Sequence, residues 1–409
     1  IIQIMKLGVY YVESTNQNGE EINRTNKELV AELAEMIGSE IEFVDIDHVN
    51  DCDLLLNFIG GGGTEGRFLQ VLDKLPRPVF LLTTGANNSL AASMEILSYL
   101  NQHDIPGEII HGSNEKMASR LKTLAAVFKA KKTLGHFRIG RVGKPSDWLI
   151  SSDVDNDASK NINGIEIVDI DIQELFDEIK NETYEPNVWT EMFMEGATTK
   201  KIGESKKDVV REKEMALYIY GAMKRICTKY ELQGVTLRCF DLLVPIKATG
   251  CMALAILNAE GIYASCEGDT PALISMAVLG ELTGQPVFQA NPSRIVTDDN
   301  SIIFAHCTLP LNMPTSTEYF THFESGLGVA LRGKLKEGPV TIFKTSGLLD
   351  KWFVAKGDLT ENLSERNLCR TQVKIHMNDL DYFLTRSIGN HHLIIEGDHV
   401  DLVNEFFKW

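Results

Sequence analysis

Three short polar segments in the second half of the chain each end or open an apolar run. Glu267 and Asp269 end one run, His306 ends another, and the pair His391 and His392 opens the last run before the C-terminus. Carboxylates and imidazoles are the usual protein ligands of divalent metals, and groups from separate strand ends can converge on one ion. The pattern therefore indicates a metal site that only the folded chain assembles.

Each of these side chains also has an ordinary structural interpretation. Asp269 stands just before Thr270-Pro271, so it is a candidate N-cap of a helix that has proline in its first turn. A histidine at a strand end is more often a hydrogen-bonded core residue than a ligand. Adjacent residues on a strand face opposite sides, so at most one of His391 and His392 can reach a given site. We favour helix capping as the role of Asp269. For Glu267 we favour metal binding or catalysis, because Glu267 directly follows the end of a strand.

Composition narrows the classes of partner. The net charge is -17, which disfavours a non-specific grip on nucleic acid or on an anionic membrane, since both require clustered Lys and Arg. No apolar run approaches the roughly 20 residues of a membrane-spanning helix. The seven cysteines are an odd number without a C-x-x-C pair, as is typical of reduced thiols in a cytoplasmic protein. A small molecule or a metal ion fits this chain better.

The first two thirds alternate between apolar strand-like runs and amphipathic helical stretches, as parallel α/β sheets do. The expected strands of the first region are Ile4–Tyr11, Glu40–Val44, Cys52–Ile59, Pro78–Thr83 and Gly107–His111. A second α/β region begins with a strand at Phe137–Val142, and we expect Ser152–Asn163, rich in Asp and Asn, to be a loop. Ligands of such sheets bind at the carboxyl ends of the strands.

The last third contains short β-rich segments in place of this alternation, which is typical of an antiparallel barrel or sandwich. The predicted fold class is therefore α/β, with two doubly wound Rossmann-like domains followed by a β-rich, barrel-like domain. We place the domains at residues 1–134, 135–284 and 285–409.

A glycine run, Gly60–Gly63, follows one predicted strand and precedes a helix, so its amides could cradle a phosphate. It lacks the Lys-Ser/Thr ending of a P-loop and the acidic partner of a dinucleotide fingerprint, and a tight βα turn is the preferred interpretation. A nucleotide-dependent transferase or reductase remains an alternative that ATP or NAD binding would reveal. His322 and Asp241 are weaker polar candidates.

The order and spacing of the polar segments resemble the superfamily of L-fucose isomerase and L-arabinose isomerase, which are metal-dependent aldose–ketose isomerases. The resemblance runs through most of the chain and is most specific from Glu267 through Thr308 and from Gly389 through Asp398. The segment Pro145-Ser146-Asp147-Trp148 also looks similar to short fucose-isomerase-like proteins.

The resemblance implies a Mn²⁺ or Mg²⁺ ion held by Glu267, His391 and, as in the arabinose branch, His306. The family's second carboxylate falls on Asn291, where an amide is uncharged and cannot act as a base. Either Asp269, Asp298, Asp299 or a neighbouring group replaces it, or the reaction differs from that of the characterised members.

Substrate-contacting residues are expected beside the ligands. We take Cys266, Asn390 and His392 as candidates, although packing is the better interpretation for the thiol. Glu267 and Asp269 are the candidate catalytic carboxylates.

The resemblance implies isomerisation of a free sugar through an enediolate, in a homo-oligomer, a trimer or hexamer, in which a neighbouring subunit closes each site. The alternative is a sugar-binding or regulatory homologue that keeps the fold and has altered chemistry, because a fold does not certify an activity.

Overall fold

The computed structural model describes residues 5–14, 19–196 and 206–409, which form two compact units. The first unit extends to Lys132 and includes Glu405–Trp409, and the second unit is Thr133–Asn404. The α/β and barrel classes predicted above are confirmed. The division into three domains stays a prediction.

The first unit contains a five-stranded parallel sheet with helices in its crossover connections. Its strand order is β2-β1-β3-β4-β5, and its central strands β3 and β4 are fully buried, as expected of a parallel sheet covered on both faces, whereas the edge strands β2 and β5 are partly exposed. The glycine run forms the turn between β3 and α2, and a Cβ at Gly60 would lie 2.8 Å from the carbonyl of Val12. The elements are β1 Leu7–Val12, α1 Gly19–Ile37, β2 Ile41–Val44, β3 Leu54–Ile59, α2 Glu65–Val71, β4 Val79–Leu82, α3 Ser89–Gln102, β5 Gly107–Ile110 and α4 Asn114–Leu134.

The second unit begins with a four-stranded parallel sheet in the order β7-β6-β8-β9. Strand β9, the last of the four in the sequence, lies at one edge of this sheet, and Glu267 directly follows it. The elements are β6 Arg138–Val142, α5 Asn156–Asn163, β7 Glu166–Ile170, α6 Ile172–Ile179, α7 Val188–Glu195, α8 Lys206–Lys229, β8 Gly234–Leu237, α9 Cys251–Ala259, β9 Tyr263–Cys266 and α10 Thr270–Thr283.

A closed antiparallel barrel of six strands completes the second unit, in the order β10-β11-β16-β15-β14-β17. A separate two-stranded sheet pairs β12 with β13. The elements are β10 Phe288–Val296, β11 Ser301–His306, β12 Ser316–Phe320, β13 Ala330–Lys334, β14 Gly338–Thr345, β15 Trp352–Asn362, β16 Thr371–His376, α11 Asp381–Thr385, β17 His392–Glu396 and α12 Val400–Lys408.

The expectation that Ser152–Asn163 is a loop is wrong in its second half, which forms α5. Asp155 accepts a hydrogen bond from the amide of Ala158 as the N-cap, and Gly164 ends the helix in a left-handed conformation. The same Asp, Asn and Gly residues that indicate turns therefore act here as caps at the ends of a short helix.

Helix α10 joins the parallel sheet to the barrel. It packs against β8 and β9 on one side and against β10, β14 and β17 on the other, so nearly all its residues are buried. Asp269 is its N-cap and Pro271 lies in its first turn, as the sequence predicts. Across the described residues, no helix has both the length and the apolar content needed to cross a lipid bilayer.

Helix α10 is preceded by Gly268 and followed by Gly284. Comparing alanine substitutions at these two glycines tests how tightly the turn before α10 is packed. Gly268 and Gly284 both have positive φ, +72° and +67°, but only at Gly268 would a Cβ meet other atoms, 2.5 Å from the carbonyl oxygen of Lys144. Gly284→Ala should cost about 1–2 kcal/mol for the left-handed backbone alone. Gly268→Ala should cost about 1–3 kcal/mol more because of the clash. Free energies of unfolding from urea titrations measure both, and equal losses would contradict this packing.

Candidate metal centre

Glu267 occupies a strained turn at the carboxyl end of β9. Its φ is +67°, an uncommon conformation for a residue with a side chain, and three main-chain hydrogen bonds support the turn. They run from Ser146 N to Glu267 O (2.9 Å), from Gly268 N to Leu237 O (3.0 Å) and from Asp269 N to Cys266 O (3.3 Å). The turn directs the Glu267 carboxylate toward the barrel, where it is largely buried.

The other two ligand candidates come from neighbouring ends of barrel strands. His306 is the last residue of β11, and its Nδ1 lies 2.6 Å from the hydroxyl of Thr308. His391 directly precedes β17, and its Nδ1 lies 2.8 Å from Oδ2 of Asp269. In the tautomer that donates from Nδ1, each imidazole offers the lone pair of Nε2 to the space between them.

The three ligand atoms converge. One atom from each of Glu267, His306 and His391 lies within 4.8 Å of the others. Oε1 of Glu267 is 3.5 Å from Nε2 of His391 and 3.9 Å from Nε2 of His306, and the two imidazoles meet edge to face with centroids 5.2 Å apart.

The environment of these atoms fits a divalent cation. Nε2 of His391 is fully buried and makes no good hydrogen bond, since its contact with Oε1 of Glu267 is 3.5 Å long, and this is costly for a polar atom unless another group completes it. Each ligand side chain is fixed through its other polar atom by Thr308, by Asp269 or, for Glu267, by the indole of Trp148 at 2.6 Å. Outer hydrogen bonds of this kind orient the ligands of protein metal sites.

Without a metal ion, Glu267, His391 and His306 differ in charge because their pKa values are shifted in different directions. Burial alone would raise the pKa of Glu267, but the hydrogen bond and charge of His391, helped by His306, lower it to about 2. Burial would lower the pKa of His391, yet its hydrogen bonds to Asp269 and Glu267 raise it to about 9. For His306, burial and the charge of His391 lower the pKa to about 3. At neutral pH, His391 is therefore cationic and His306 neutral.

Asp269 holds this arrangement in place from a fully buried position. Its Oδ1 accepts from the amide of Ala272 at 2.9 Å and its Oδ2 faces His391. The ammonium of Lys344 is 3.7 Å from Oδ1. Burial would raise the pKa of Asp269, but Lys344 and His391 hold it well below its usual range. The expected cap is confirmed, and the same carboxylate also orients a histidine.

The remaining predicted site residues lie around the same barrel rim or in the core. Both ring nitrogens of His392 are engaged, Nδ1 with the carbonyl of Asn390 at 2.8 Å and Nε2 with the hydroxyl of Tyr382 at 3.0 Å, and the ring packs among aromatic side chains. Asn390 is exposed and donates to Oδ1 of Asn291 at 2.8 Å. Cys266 is buried, with its sulfur 2.9 Å from that of Cys239, as packing predicts. Their proposed roles in binding stay predictions.

Three contributors were not singled out by sequence reasoning. Thr308 stands two residues after His306, Trp148 lies in the Pro-Ser-Asp-Trp segment, and Lys344 interrupts an apolar strand, which is the kind of position where a buried charge has a function. Phe240 packs edge to face between Trp148 and His322, which places the weak candidate His322 near the site. Asp241 accepts a hydrogen bond from Arg238 at 3.0 Å.

Comparison with known proteins gives two matches over most of this chain and one local match. No protein-family model matches the chain. The chain is 27% identical over 303 residues to the sulfoquinovose isomerases of Priestia aryabhattai and Priestia megaterium, which covers 71% of this chain and 66% of each relative. It is 30% identical over 93 residues to the sulfoquinovose isomerase of a Clostridium species, covering 23% of this chain and 20% of that relative. The chain thus spans just under two thirds of the length of the first two relatives.

Proton and metal compete for Nε2 of His391, so we expect Mn²⁺ affinity to rise with pH. Because the pKa of His391 is about 9, binding at neutral pH must release one proton. The apparent association constant should rise about tenfold per pH unit and level off only near the pKa. Calorimetry in buffers of different ionisation enthalpy, between about pH 6.5 and 8.5, measures both the constant and the proton count.

Asp269→Asn is the matched variant for this experiment. It removes one of the charges that raise the pKa of His391, so the plateau should begin at a lower pH. The altered support of His391 should also weaken Mn²⁺ binding about 10- to 100-fold. Affinity that is flat with pH in the wild type, with no proton released, would contradict the predicted competition.

Proposed function

We propose that the chain is a metal-dependent aldose–ketose isomerase that acts on an open-chain sugar through an enediolate. The convergence of Glu267, His306 and His391 on one buried space carries the proposal. The relatives named sulfoquinovose isomerase support the reaction class and make that sugar the first substrate to test.

Mn²⁺ is the preferred ion under this proposal, with Mg²⁺ second. The carboxylate suits both ions, but two of the three ligand atoms are imidazole nitrogens, which favour the softer transition metal. When bound, the ion supplies positive charge that acidifies the proton beside the sugar carbonyl and stabilises the enediolate.

Glu267 is the proposed proton carrier. With a pKa of about 2 it stays ionised at neutral pH, so it is ready to accept the α-proton. As a weak base it holds that proton only transiently, which suits its return to the neighbouring carbon. The indole N–H of Trp148 donates to Oε2, so Oε1 is left for the metal ion, and Oε2, which keeps a second lone pair, would carry the proton.

Asp269 is proposed to position His391 and not to take part in the reaction itself. Both of its oxygens are engaged, and it is fully buried between the helix amide, His391 and Lys344. Its contact with Nδ1 holds His391 in the tautomer whose Nε2 can bind a metal. The sequence-based proposal that Asp269 is itself catalytic would require the substrate to reach one of these oxygens.

The half-buried Asn291, the exposed Asn390 and the buried His392 are proposed to shape the substrate side of the rim. Asn291 belongs to β10 opposite Ala305, the neighbour of His306, so it lies at the same end of the barrel as the ligands. A cytoplasmic homo-oligomer, in which a second subunit closes the site, completes the proposal.

A second candidate is a sugar-binding protein that keeps the site but lacks turnover. Asn291 favours it, because an amide occupies the position where the resemblance implies a carboxylate. Calorimetry with Mn²⁺ and a panel of sulfoquinovose, L-fucose and L-arabinose separates the two: binding without turnover supports this candidate, and metal-dependent turnover removes it.

Chelation and the loss of one carboxylate should each abolish isomerisation. With Mn²⁺ present, Glu267→Gln should lower kcat/KM about 10²- to 10⁴-fold, since it removes a charged ligand and the proton carrier together. EDTA should have a comparable effect on the wild type, reversible with Mn²⁺. Glu361→Gln, at an exposed position of β15, is the control that should keep wild-type rates. Turnover that survives both EDTA and Glu267→Gln would reject the mechanism.

Asn291→Asp tests whether this position belongs to the metal site. If its side chain can reach the ion, the added charge should raise Mn²⁺ affinity about tenfold, and Asn390 can still donate to the new carboxylate. Ser293→Asp adds the same charge at an exposed position two residues along β10 and controls for general electrostatics. Equal affinities in the two variants would place Asn291 outside the ligand set.

A further inference from the structure

His322 lies two residues after β12, in the loop that leads to β13, and two chains of contacts connect it to the metal centre. The first begins at Glu267, whose Oε2 accepts from the indole of Trp148 at 2.6 Å. Trp148 packs edge to face on Phe240 with ring centroids 4.9 Å apart, and Phe240 packs in the same way on His322 at 5.7 Å. His322 is therefore supported by the same aromatic side chains as the indole that holds Glu267.

The second chain of contacts begins at His306, which pairs with Thr371 across the neighbouring barrel strands β11 and β16. Arg370 directly precedes Thr371, and its Nε donates to the carbonyl oxygen of Thr321 at 2.8 Å. The residue before His322 is thus tied to the end of β16 that lies beside His306. His322 is reached in a few contacts from two different candidate ligands.

The charges of these groups act on one another. Burial and the charge of Arg370 lower the pKa of His322, and the charge of Glu267 opposes that shift. For His306, burial and the charge of His391 lower the pKa most, and His322 lowers it further. His322 is therefore neutral at neutral pH, and it lies within electrostatic reach of two of the candidate ligands.

The hydrogen bonds of His322 determine which ring nitrogen carries the hydrogen. The main-chain N–H of Ser325 faces Nδ1 at 3.4 Å, and an N–H group can only donate, so Nδ1 is an acceptor. The hydroxyl of Ser325 lies 3.1 Å from Nδ1 and itself accepts from the amide of Leu327 at 3.2 Å, which leaves its own hydrogen for Nδ1. A neutral imidazole carries one N–H, so the hydrogen of His322 is on Nε2.

Nε2 of His322 has no hydrogen-bond partner in the part of the chain that the structure describes, yet it is not sealed from solvent as Nε2 of His391 is. A ring nitrogen that carries its hydrogen has no lone pair for a metal ion. The ligand atoms that lie within 4.8 Å of one another accordingly come from Glu267, His306 and His391. His322 offers a hydrogen-bond donor beside the metal centre and not a fourth ligand.

We propose that His322 contacts the substrate directly, by donating a hydrogen bond from Nε2 to the sugar oxygen that becomes negatively charged in the enediolate. The inference rests on the proposed isomerase function. A neutral imidazole suits this position, because it stabilises an oxyanion without adding a charge that would repel the metal ion. The contacts through Trp148 and Phe240 hold this donor in a fixed position relative to Glu267, the proposed proton carrier.

Two substitutions separate this role from a role in packing. His322→Phe keeps an aromatic ring against Phe240 and removes the donor, whereas His322→Gln supplies an amide N–H near the position of Nε2. His376→Gln is the matched control, because His376 is exposed and lies at the end of β16 away from the residue that pairs with His306.

Binding is measured by calorimetry, first with Mn²⁺ alone and then with D-arabinonohydroxamate on the Mn²⁺-loaded chain. This acyclic hydroxamate resembles an enediolate and is not isomerised, so it reports on the site without turnover. Mn²⁺ affinity should match wild type in all three variants, which also shows that each site is folded. Hydroxamate affinity should fall about tenfold or more in His322→Phe, recover in His322→Gln and stay unchanged in His376→Gln.

Turnover is measured separately with sulfoquinovose. In His322→Phe we expect kcat to fall about 10²-fold with little change in KM, because the sugar oxygen gains its charge only on the way to the transition state. His322→Gln should recover part of this loss, which a role in packing alone would not allow.

The assignment is overturned if either His322 variant loses Mn²⁺ affinity, since His322 would then hold or support the metal ion. It is equally overturned if wild type fails to bind the hydroxamate, or if His322→Phe binds it as tightly as wild type or His322→Gln loses as much as His322→Phe. Hydroxamate binding that depends on His322, without any turnover in wild type, would reject the isomerase function and keep the donor. Turnover that is insensitive to His322→Phe would keep the isomerase function and reject the donor.

Discussion

The contacts of the buried Asp269 carboxylate are the constraint on which the proposed metal centre of the second unit depends. One of its oxygens caps α10, the helix that joins the parallel sheet to the barrel, and the other fixes His391. Lys344 from β14 approaches the same group. Sheet, helix and barrel therefore meet at a single charged residue, and the candidate metal ligand His391 is oriented by it.

A cluster of buried charges is costly to desolvate unless the charges compensate one another. Here Glu267 and Asp269 are anionic and His391 is cationic in the metal-free protein. Burial lowers the pKa of Lys344, and the charge of Asp269 opposes that shift. Binding of a divalent ion would replace the proton of His391 and add positive charge beside Glu267.

Periodicity and turn residues predict much of this fold. The parallel sheets, the barrel-like last third and the cap at Asp269 follow from local sequence, because apolar spacing and Pro at a helix start act over a few residues. Helix α5 was missed because its caps have the composition of a loop. The residue types and strand-end positions of Glu267, His306 and His391, together with the resemblance, allowed their convergence to be proposed, but no local rule sets the distance between strands far apart in sequence. Lys344 was missed because its significance depends on the neighbours that only the fold supplies.

The most direct test of the central claim is the anomalous difference map of a crystal grown or soaked with Mn²⁺. We expect one strong peak at about 2 Å from Oε1 of Glu267 and from Nε2 of both His306 and His391. A map with no peak among these three atoms, at a Mn²⁺ concentration that saturates binding in solution, would contradict it.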